Sequence, residues 1–396
     1  MTTVTTDVLI IGAGAAGLMC AATAGYRGRS VTVIDMGKKS ARKILISGGG
    51  RCNFTNINAD TNHYICQNPH FTKSALSRYS AQDFIDLVDR HGLHYHHKTL
   101  GQLFCDDSAQ DLVDILLTEC EWAGVTIQLR SEVFAVEKNE QGYLVKTSTH
   151  NYQCQSLVVA SGGLTMPKLG ATPIGYKIAQ QFGLNVLPTC AALVPFTLHD
   201  HDKNRFDGLS GISINCEVTS ESSVSFKENI LFTHRGLSGP AILQISSFWK
   251  AGEEVSINLL PDINLLETIN DWREKQAQKS LKNLLATLLP KRFIELLLED
   301  KQIPDKAVNQ LSHSELQNLH NYFHAWKIKP NGTEGYRTAE VTLGGVDTDE
   351  LSSKTFAAKK SDGLFFIGEV IDVTGWLGGY NFNFCWASGV ACGQAV

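Results

Sequence analysis

One short pattern restricts this chain more than any other. It is Gly12-Ala13-Gly14-Ala15-Ala16-Gly17, set between the apolar run Asp7–Ile11 (DVLII) and a helical stretch from Leu18 to about Tyr26. A second apolar run, Ser30–Ile34 (SVTVI), follows Gly28 and ends at Asp35, 18 residues beyond the last glycine. Runs this rich in β-branched residues are expected of buried parallel strands. In such a strand–glycine–helix–strand–acid order, each glycine has a task. The first makes a tight turn, the second lets backbone approach a pyrophosphate, and the third lets helix pack on strand. The helix start offers free N–H groups and a positive dipole to phosphate. The acid accepts hydrogen bonds from ribose hydroxyls. A dinucleotide is therefore expected against Gly12, Gly14, Ala15, Ala16, Gly17 and Asp35, with Met36 beside the acid.

The segment after Asp35 indicates which dinucleotide. Residues 43–56 read KILISGGGRCNFTN, preceded by Lys38, Lys39 and Arg42. Three successive glycines cost backbone entropy on folding. A cofactor lying against bare backbone explains them, and FAD is long enough to extend past the pyrophosphate to this point. Ser47, Gly48, Gly49 and Gly50 are expected along its path. Arg42, Lys43 and Arg51 offset phosphate charge, and Asn53 and Asn56 offer amides. No second G-x-G-x-x-G is present. A nicotinamide donor, NADH or NADPH, would then bind only transiently against a tightly but non-covalently held flavin.

Two more strand-to-glycine junctions follow. Ser156–Ala160 (SLVVA) runs into Ser161-Gly162-Gly163, and Gly363–Ile367 (GLFFI) runs into Gly368-Glu369. The second places a carboxylate at the carboxyl edge of the sheet, where ribityl hydroxyls would lie. Asp372 and Gly378-Gly379-Tyr380-Asn381 lead into a small-residue helix from about Phe382 to Gln394. That helix start would face the flavin edge where negative charge develops on reduction. Ala160, Gly162, Gly163, Gly368, Glu369, Asp372, Gly379, Tyr380 and Asn381 therefore join the expected cofactor contacts, as does Val133. Between the first glycine pattern and these, Gly124–Leu129, Glu132–Lys138 and Tyr143–Thr147 read as a three-strand pattern. Pro69–Cys120 reads as mostly helical, with GQLF (101–104) embedded.

Both chain ends thus serve one nucleotide domain, and the middle is an insertion. The expected domains are 1–190 with 325–396 for FAD, and 191–262 with part of 325–345 for an antiparallel sheet or barrel. Leucines at helical spacing between Ser280 and Phe323 make 263–324 a helical subdomain.

Other signals exclude more than they assign. The 396 residues carry a net charge of −5, which gives no overall pull toward nucleic acid. Lys38, Lys39, Lys327, Lys329, Lys359 and Lys360 are the local exceptions. Ten scattered cysteines with no C-x-x-C read as buried thiols in a reducing compartment. Cys52 reads as a packing residue. The apolar run 8–24 lacks a preceding Lys or Arg and is short for a membrane span, so the chain is expected in the cytoplasm. His91, His94, His96 and His97 match no metal-ligand spacing, and no metal is expected.

The ordered segments VLIIGAGAAGL (8–18), RKILISGGGRCNFTN (42–56), VVASGGLTMPKLGATPIGY (158–176), LFTHRGLSGPAILQIS (231–246), NGTEGYRTAEVTLGGVDT (331–348) and GLFFIGEVIDVTGWLGGYNF (363–382) carry a resemblance. Over essentially its whole length the chain resembles the BaiN/YhiN-type family of NAD(P)/FAD-dependent flavoproteins. The resemblance implies an α/β fold: a Rossmann-like FAD-binding domain of the glutathione-reductase/fumarate-reductase type, with an inserted β-barrel and a small helical subdomain. It also implies redox chemistry. The expected reaction is hydride transfer to an activated C=C bond of a small molecule. The alternatives are reduction of a uridine in ribosomal RNA, and amine oxidation with oxygen as acceptor. His234, as proton donor, and Arg337, as anion clamp, are the expected catalytic residues.

Overall fold

The computed structural model describes residues 2–396, which divide into two compact units. Of these residues the first contains 2–191 and 340–396, and the second contains 192–339.

The first unit is built on a seven-stranded sheet. Its strands in chain order are β1 (Thr3–Ile11), β2 (Val31–Asp35), β3 (Thr126–Leu129), β4 (Val133–Asn139), β5 (Gly142–Thr147), β6 (Asn151–Val159) and β7 (Leu364–Phe366). The spatial order is β3-β2-β1-β6-β5-β4, with β7 also on β6. Strands β3, β2, β1, β6 and β7 are mutually parallel. One edge of β6 is used twice: residues 151–154 pair antiparallel with β5, and residues 157–159 pair parallel with β7. A chain segment near residue 364 thereby lies beside one near 157. The expected three-strand pattern is split. β3 extends the parallel sheet beside β2, while β4 and β5 form a hairpin whose second strand pairs with β6.

Burial explains the strand sequences. Residues Val8–Ile11, Val31–Ile34 and Leu157–Val159 are covered on both faces, so they are apolar without alternation except at the buried Thr32. One cover is the N-terminal helix, Ala15–Tyr26, with the C-terminal helix, Tyr380–Gly393, packed against it. Their close approach needs small residues. A Cβ on Gly389 would lie 2.7 Å from the Ala16 carbonyl oxygen, and one on Gly393 would lie 2.6 Å from Thr23 Cβ. This is why the last helix is rich in Gly, Ala and Ser.

The Pro69–Cys120 region holds helices Lys73–Arg78, Ala81–Arg90 and Ala109–Trp122. The embedded GQLF is not helical. Gln102–Cys105 is the centre of a three-stranded sheet between Asn53–Asn56 and Tyr95–His97.

The second unit is an antiparallel sheet of seven short strands in the order 326–328, 255–258, 213–220, 225–233, 236–238, 196–197 and 332–333. Its first and last strands are joined by only residues 329–331. Seven flat strands would span roughly 29 Å, and three residues reach only about 13 Å. The sheet therefore curls like a barrel. Helices Leu265–Lys275, Leu281–Leu285, Lys291–Glu299 and His313–His324 belong to this same unit, not to a separate one. Phe293 of the third packs its ring 5.8 Å from Phe232 and 6.0 Å from Trp326 of the sheet.

Candidate cofactor site

The carboxyl ends of β1, β2, β6 and β7 gather the glycine-rich segments. Gly12, with φ +116°, is packed from within: a Cβ there would lie 2.3 Å from the Ala160 carbonyl oxygen. A Cβ on Gly17 would lie 2.0 Å from the Gly12 carbonyl oxygen. These two glycines exist for protein contacts. Gly14 differs. Its φ is −93°, an ordinary value, and a Cβ there meets no protein atom within 4 Å. The N-terminal helix starts at Gly14 with no side-chain cap and no acid in its first turn. Its first N–H groups have no side-chain acceptor, the arrangement that suits an anion.

Asp35 stands at the end of β2, where the motif requires it. Its Oδ2 accepts the Ala13 N–H at 3.0 Å, and its Oδ1 accepts the Gly37 N–H at 2.6 Å. Asp35 therefore braces the glycine turn from below. Arg42 pairs with it at 3.2 Å. Met36 is exposed beside it, and Val133 is half-buried at the start of β4. The chain leaving β3 returns along this edge, with Arg130 N–H on the Gly37 carbonyl and Ser131 N–H on the Asp35 carbonyl.

The triple glycine turns out to have divided roles. Gly48, Gly49 and Gly50 have φ of +56°, +69° and +88°, all left-handed. A Cβ on Gly48 would press to 2.8 Å from the Phe104 ring, whereas Gly49 and Gly50 face open space. Gly162, with φ +74°, is open as well. Ser47 Oγ donates to the Ile44 carbonyl and steadies the turn. Buried Cys52 follows, and burial pushes its thiol up to about 12, so it stays protonated at neutral pH.

Lys43 and Glu369 do not take the separate roles expected of them. Lys43 Nζ meets Glu369 Oε2 at 2.6 Å and Thr165 Oγ1 at 2.9 Å. Glu369 Oε1 accepts the Thr342 N–H at 2.9 Å. The pair ties residue 43 to the segment that follows β7. Gly163 packs against Thr342 and Glu369. Gly368, with φ +69°, lies against Ala16 of the N-terminal helix and donates its N–H to Ser388 Oγ.

The C-terminal loop meets the segment after the triple glycine. A Cβ on Gly379 would lie 2.5 Å from the Thr55 carbonyl, and the Asn53 amide sits against both Gly379 and Gln102. Asn56 Nδ2 donates to the Gly378 carbonyl at 2.8 Å. The C-terminal helix starts at Gly379, again with no side-chain cap and no acid in its first turn. Asn381 is committed elsewhere, because its amide closes the loop onto Gly375 and Trp376. The Tyr380 ring stacks on His63 at 4.6 Å. Asp372 is buried and accepts the Gln67 N–H at 2.9 Å, and burial raises its pKa. Thr55 Oγ1 and both amide atoms of Asn383, on the two segments meeting at Gly379, are buried with no partner among the described residues. Nothing in the sequence pattern signalled Thr165, Thr342, His63 or Asn383.

In the second unit, His234 and Arg337 are both exposed. Glu334 pairs with Arg235 at 3.0 Å, and Arg337 has no ion pair among the described residues. The histidine group separates: His91 binds Glu119 and His96 binds Asp106. Among the described residues no three metal-ligating side chains converge, and no helix is long and apolar enough to cross a membrane.

These residues fit a flavin dinucleotide. Two helix starts are left uncapped, and a Cβ on Gly14, Gly49, Gly50 or Gly162 would meet no protein atom within 4 Å. The family described as "HI0933-like protein Rossmann domain" matches residues 6–395.

The chain belongs to the HI0933-like family.

It is a Rossmann-fold, FAD-dependent oxidoreductase. This HI0933-like chain is 58% identical over 388 residues to the ribosomal RNA dihydrouridine synthase of Escherichia coli (strain K12), covering 98% of this chain and 97% of that one. It is 52% identical over 392 residues to the protein of that name from Haemophilus influenzae, covering 98% of each. It is 26% identical over 409 residues to the 3-dehydro-bile acid delta(4,6)-reductase of Clostridium scindens, again covering 98% of each.

Proposed function

We propose that this flavoprotein reduces a uridine of ribosomal RNA to dihydrouridine in the cytoplasm, with NADH or NADPH as electron donor. The supporting observation is the 58% identity, spread over 98% of the chain, to a protein named for that reaction. In balance, a hydride and a proton add across the C5–C6 double bond of uracil while the nicotinamide is oxidised. When bound, FAD supplies the two-electron chemistry. The protein's part is positioning and charge. The N–H groups from Gly14 onward would hold the pyrophosphate, with Asp35 beneath them. Gly49, Gly50 and Gly162 would admit the rest of the cofactor. The C-terminal helix start would favour negative charge on a reduced ring by roughly 0.3–1 kcal/mol. His234 and Arg337 are the substrate-side groups of this reading, as proton donor and anion clamp.

The basic residues support RNA differently from the sequence expectation. Lys327 pairs with Glu254, Lys360 pairs with Glu350, and Lys359 donates to the Asp349 carbonyl. Lys38, Lys39, Arg51 and Lys98 are exposed and make no ion pair among the described residues. All four belong to the nucleotide unit. Reduction of an activated C=C bond in a small molecule is the second reading, favoured by the likeness to the bile-acid reductase.

The test uses ribosomal RNA purified from cells lacking this protein, incubated anaerobically with the holoprotein and NADH or NADPH. Digestion and mass spectrometry should reveal one uridine heavier by two hydrogens. RNA left unchanged with both donors would reject this reading in favour of the second.

A further inference from the structure

Hydride addition to uracil requires a bare ring face, and in stacked RNA both faces are covered. Enzymes that act on a single base extrude it, and proteins that open a stack commonly fill the gap with an apolar side chain. A candidate for that side chain stands beside the cofactor site. Leu100 is 58% exposed and has φ +59°, ψ +28°. A bulky residue in left-handed backbone is strained, and such strain tends to sit where function needs it. Burial does not account for it here, because the side chain faces solvent. The following residue, Gly101, is left-handed too, at φ +78°.

The loop is held firmly in this shape. Lys98 N–H bonds the Gln102 carbonyl at 2.8 Å, and Ile57 N–H bonds the Gly101 carbonyl at 2.9 Å. The buried amide of Asn56 donates at once to the Leu100 carbonyl, at 3.1 Å, and to the Gly378 carbonyl, at 2.8 Å. One amide thus links the Leu100 turn to the loop that starts the C-terminal helix. Ile57, bonded to the same turn, is a second exposed apolar residue at 50%. The surroundings suit a polyanion. Lys98 Nζ lies 3.7 Å above the Phe104 ring, and that ring packs on Gly48 of the triple glycine, three positions before the exposed Arg51, which makes no ion pair among the described residues.

We propose that Leu100, with Ile57 beside it, is the wedge that enters the RNA stack in place of the extruded uridine, while Lys98 and Arg51 contact the flanking phosphates. This rests on the ribosomal RNA reading above. The test compares the holoprotein with Leu100→Gly and Leu100→Met on two substrates, a folded ribosomal RNA transcript and a short unstructured oligoribonucleotide containing the same uridine. Leu100→Gly removes the side chain and relaxes the backbone, so it should melt no lower than the parent and hold as much FAD. Its rate on folded RNA relative to the oligonucleotide should fall by about tenfold or more, reflecting the lost help in unstacking, and Leu100→Met should recover most of that ratio. An unchanged ratio in Leu100→Gly, or an equal loss on both substrates, overturns the wedge. A parent protein that reduces uridine in neither RNA overturns the underlying reading, and the wedge with it.

Discussion

Three helices of the insertion begin differently from the two that reach the cofactor site. In the insertion, Asn264 accepts the Leu266 N–H, Ser280 accepts the Asn283 N–H, and Ser312 accepts the Glu315 N–H while the Glu315 side chain returns to the Ser312 backbone. In the nucleotide unit, the helices that reach the site begin at Gly14 and Gly379, without a side-chain cap. A helix start has four N–H groups without intrahelical partners. At Asn264, Ser280 and Ser312 a local oxygen satisfies one or more of them and adds about 1 kcal/mol. Where a phosphate or flavin oxygen is to arrive, that stabilisation is forgone and the groups stay open. Side-chain capping also occurs within the nucleotide unit, at Ser80 and Ser108, on helices that none of the glycine-rich segments enters. Lys73–Arg78 and Lys291–Glu299 also start without a side-chain cap, so an open start is informative only where, as at Gly14 and Gly379, glycine-rich segments meet it.

The comparison can be broken by substitution. The largest effect is expected from Gly17→Val, because a Cβ there already lies 2.0 Å from the Gly12 carbonyl oxygen. Overpacking against backbone should cost at least about 3 kcal/mol, seen as loss of the cooperative melting transition with or without added FAD. Normal melting in this variant would show that the glycine is not packed as described. A smaller effect is expected from Ser312→Ala. It should lower stability to urea by about 1 kcal/mol and leave flavin content unchanged. Flavin loss there would erase the distinction between supporting and ligand-facing helix starts.

The smallest effect is a pH dependence. Lys306 and the Ser312 N–H and hydroxyl hold the Glu315 carboxyl down to about 2, from an ordinary 4.5. A depressed folded-state pKa gives stability that is present above the unfolded value. This contribution should be complete at neutral pH and disappear as pH falls from about 4.5 toward 2. Glu315→Gln should reduce the acid slope of stability over that window, measured as melting temperature against pH. An identical slope would show that the carboxylate adds nothing to the cap.

The sequence revealed the parts of this molecule whose causes are local. The first βαβ unit, the three strand-to-glycine junctions and the return of the chain to the nucleotide unit all follow from periodicity and glycine placement. Other features depend on partners far away in sequence. Lys43 and Glu369 are 326 positions apart, and only the pairing of β6 with β7 brings them together. Gly48 reads like Gly49 in the sequence, and the Phe104 ring alone separates their roles. The GQLF segment is too short to declare itself a strand until Asn53–Asn56 and Tyr95–His97 flank it. Asn381 looks like a cofactor ligand because it sits in a glycine loop, yet its amide closes that loop.

Gly14→Ala tests the central claim most directly. Gly14 has ordinary backbone geometry, and a Cβ there meets no protein atom within 4 Å. The apoprotein should therefore melt where the parent does. If the pyrophosphate of FAD lies against this residue, the added methyl occupies its place. The account predicts an apoprotein of unchanged stability that no longer retains or takes up FAD, read from the flavin absorbance after gel filtration. A Gly14→Ala protein that binds FAD as the parent does would contradict it.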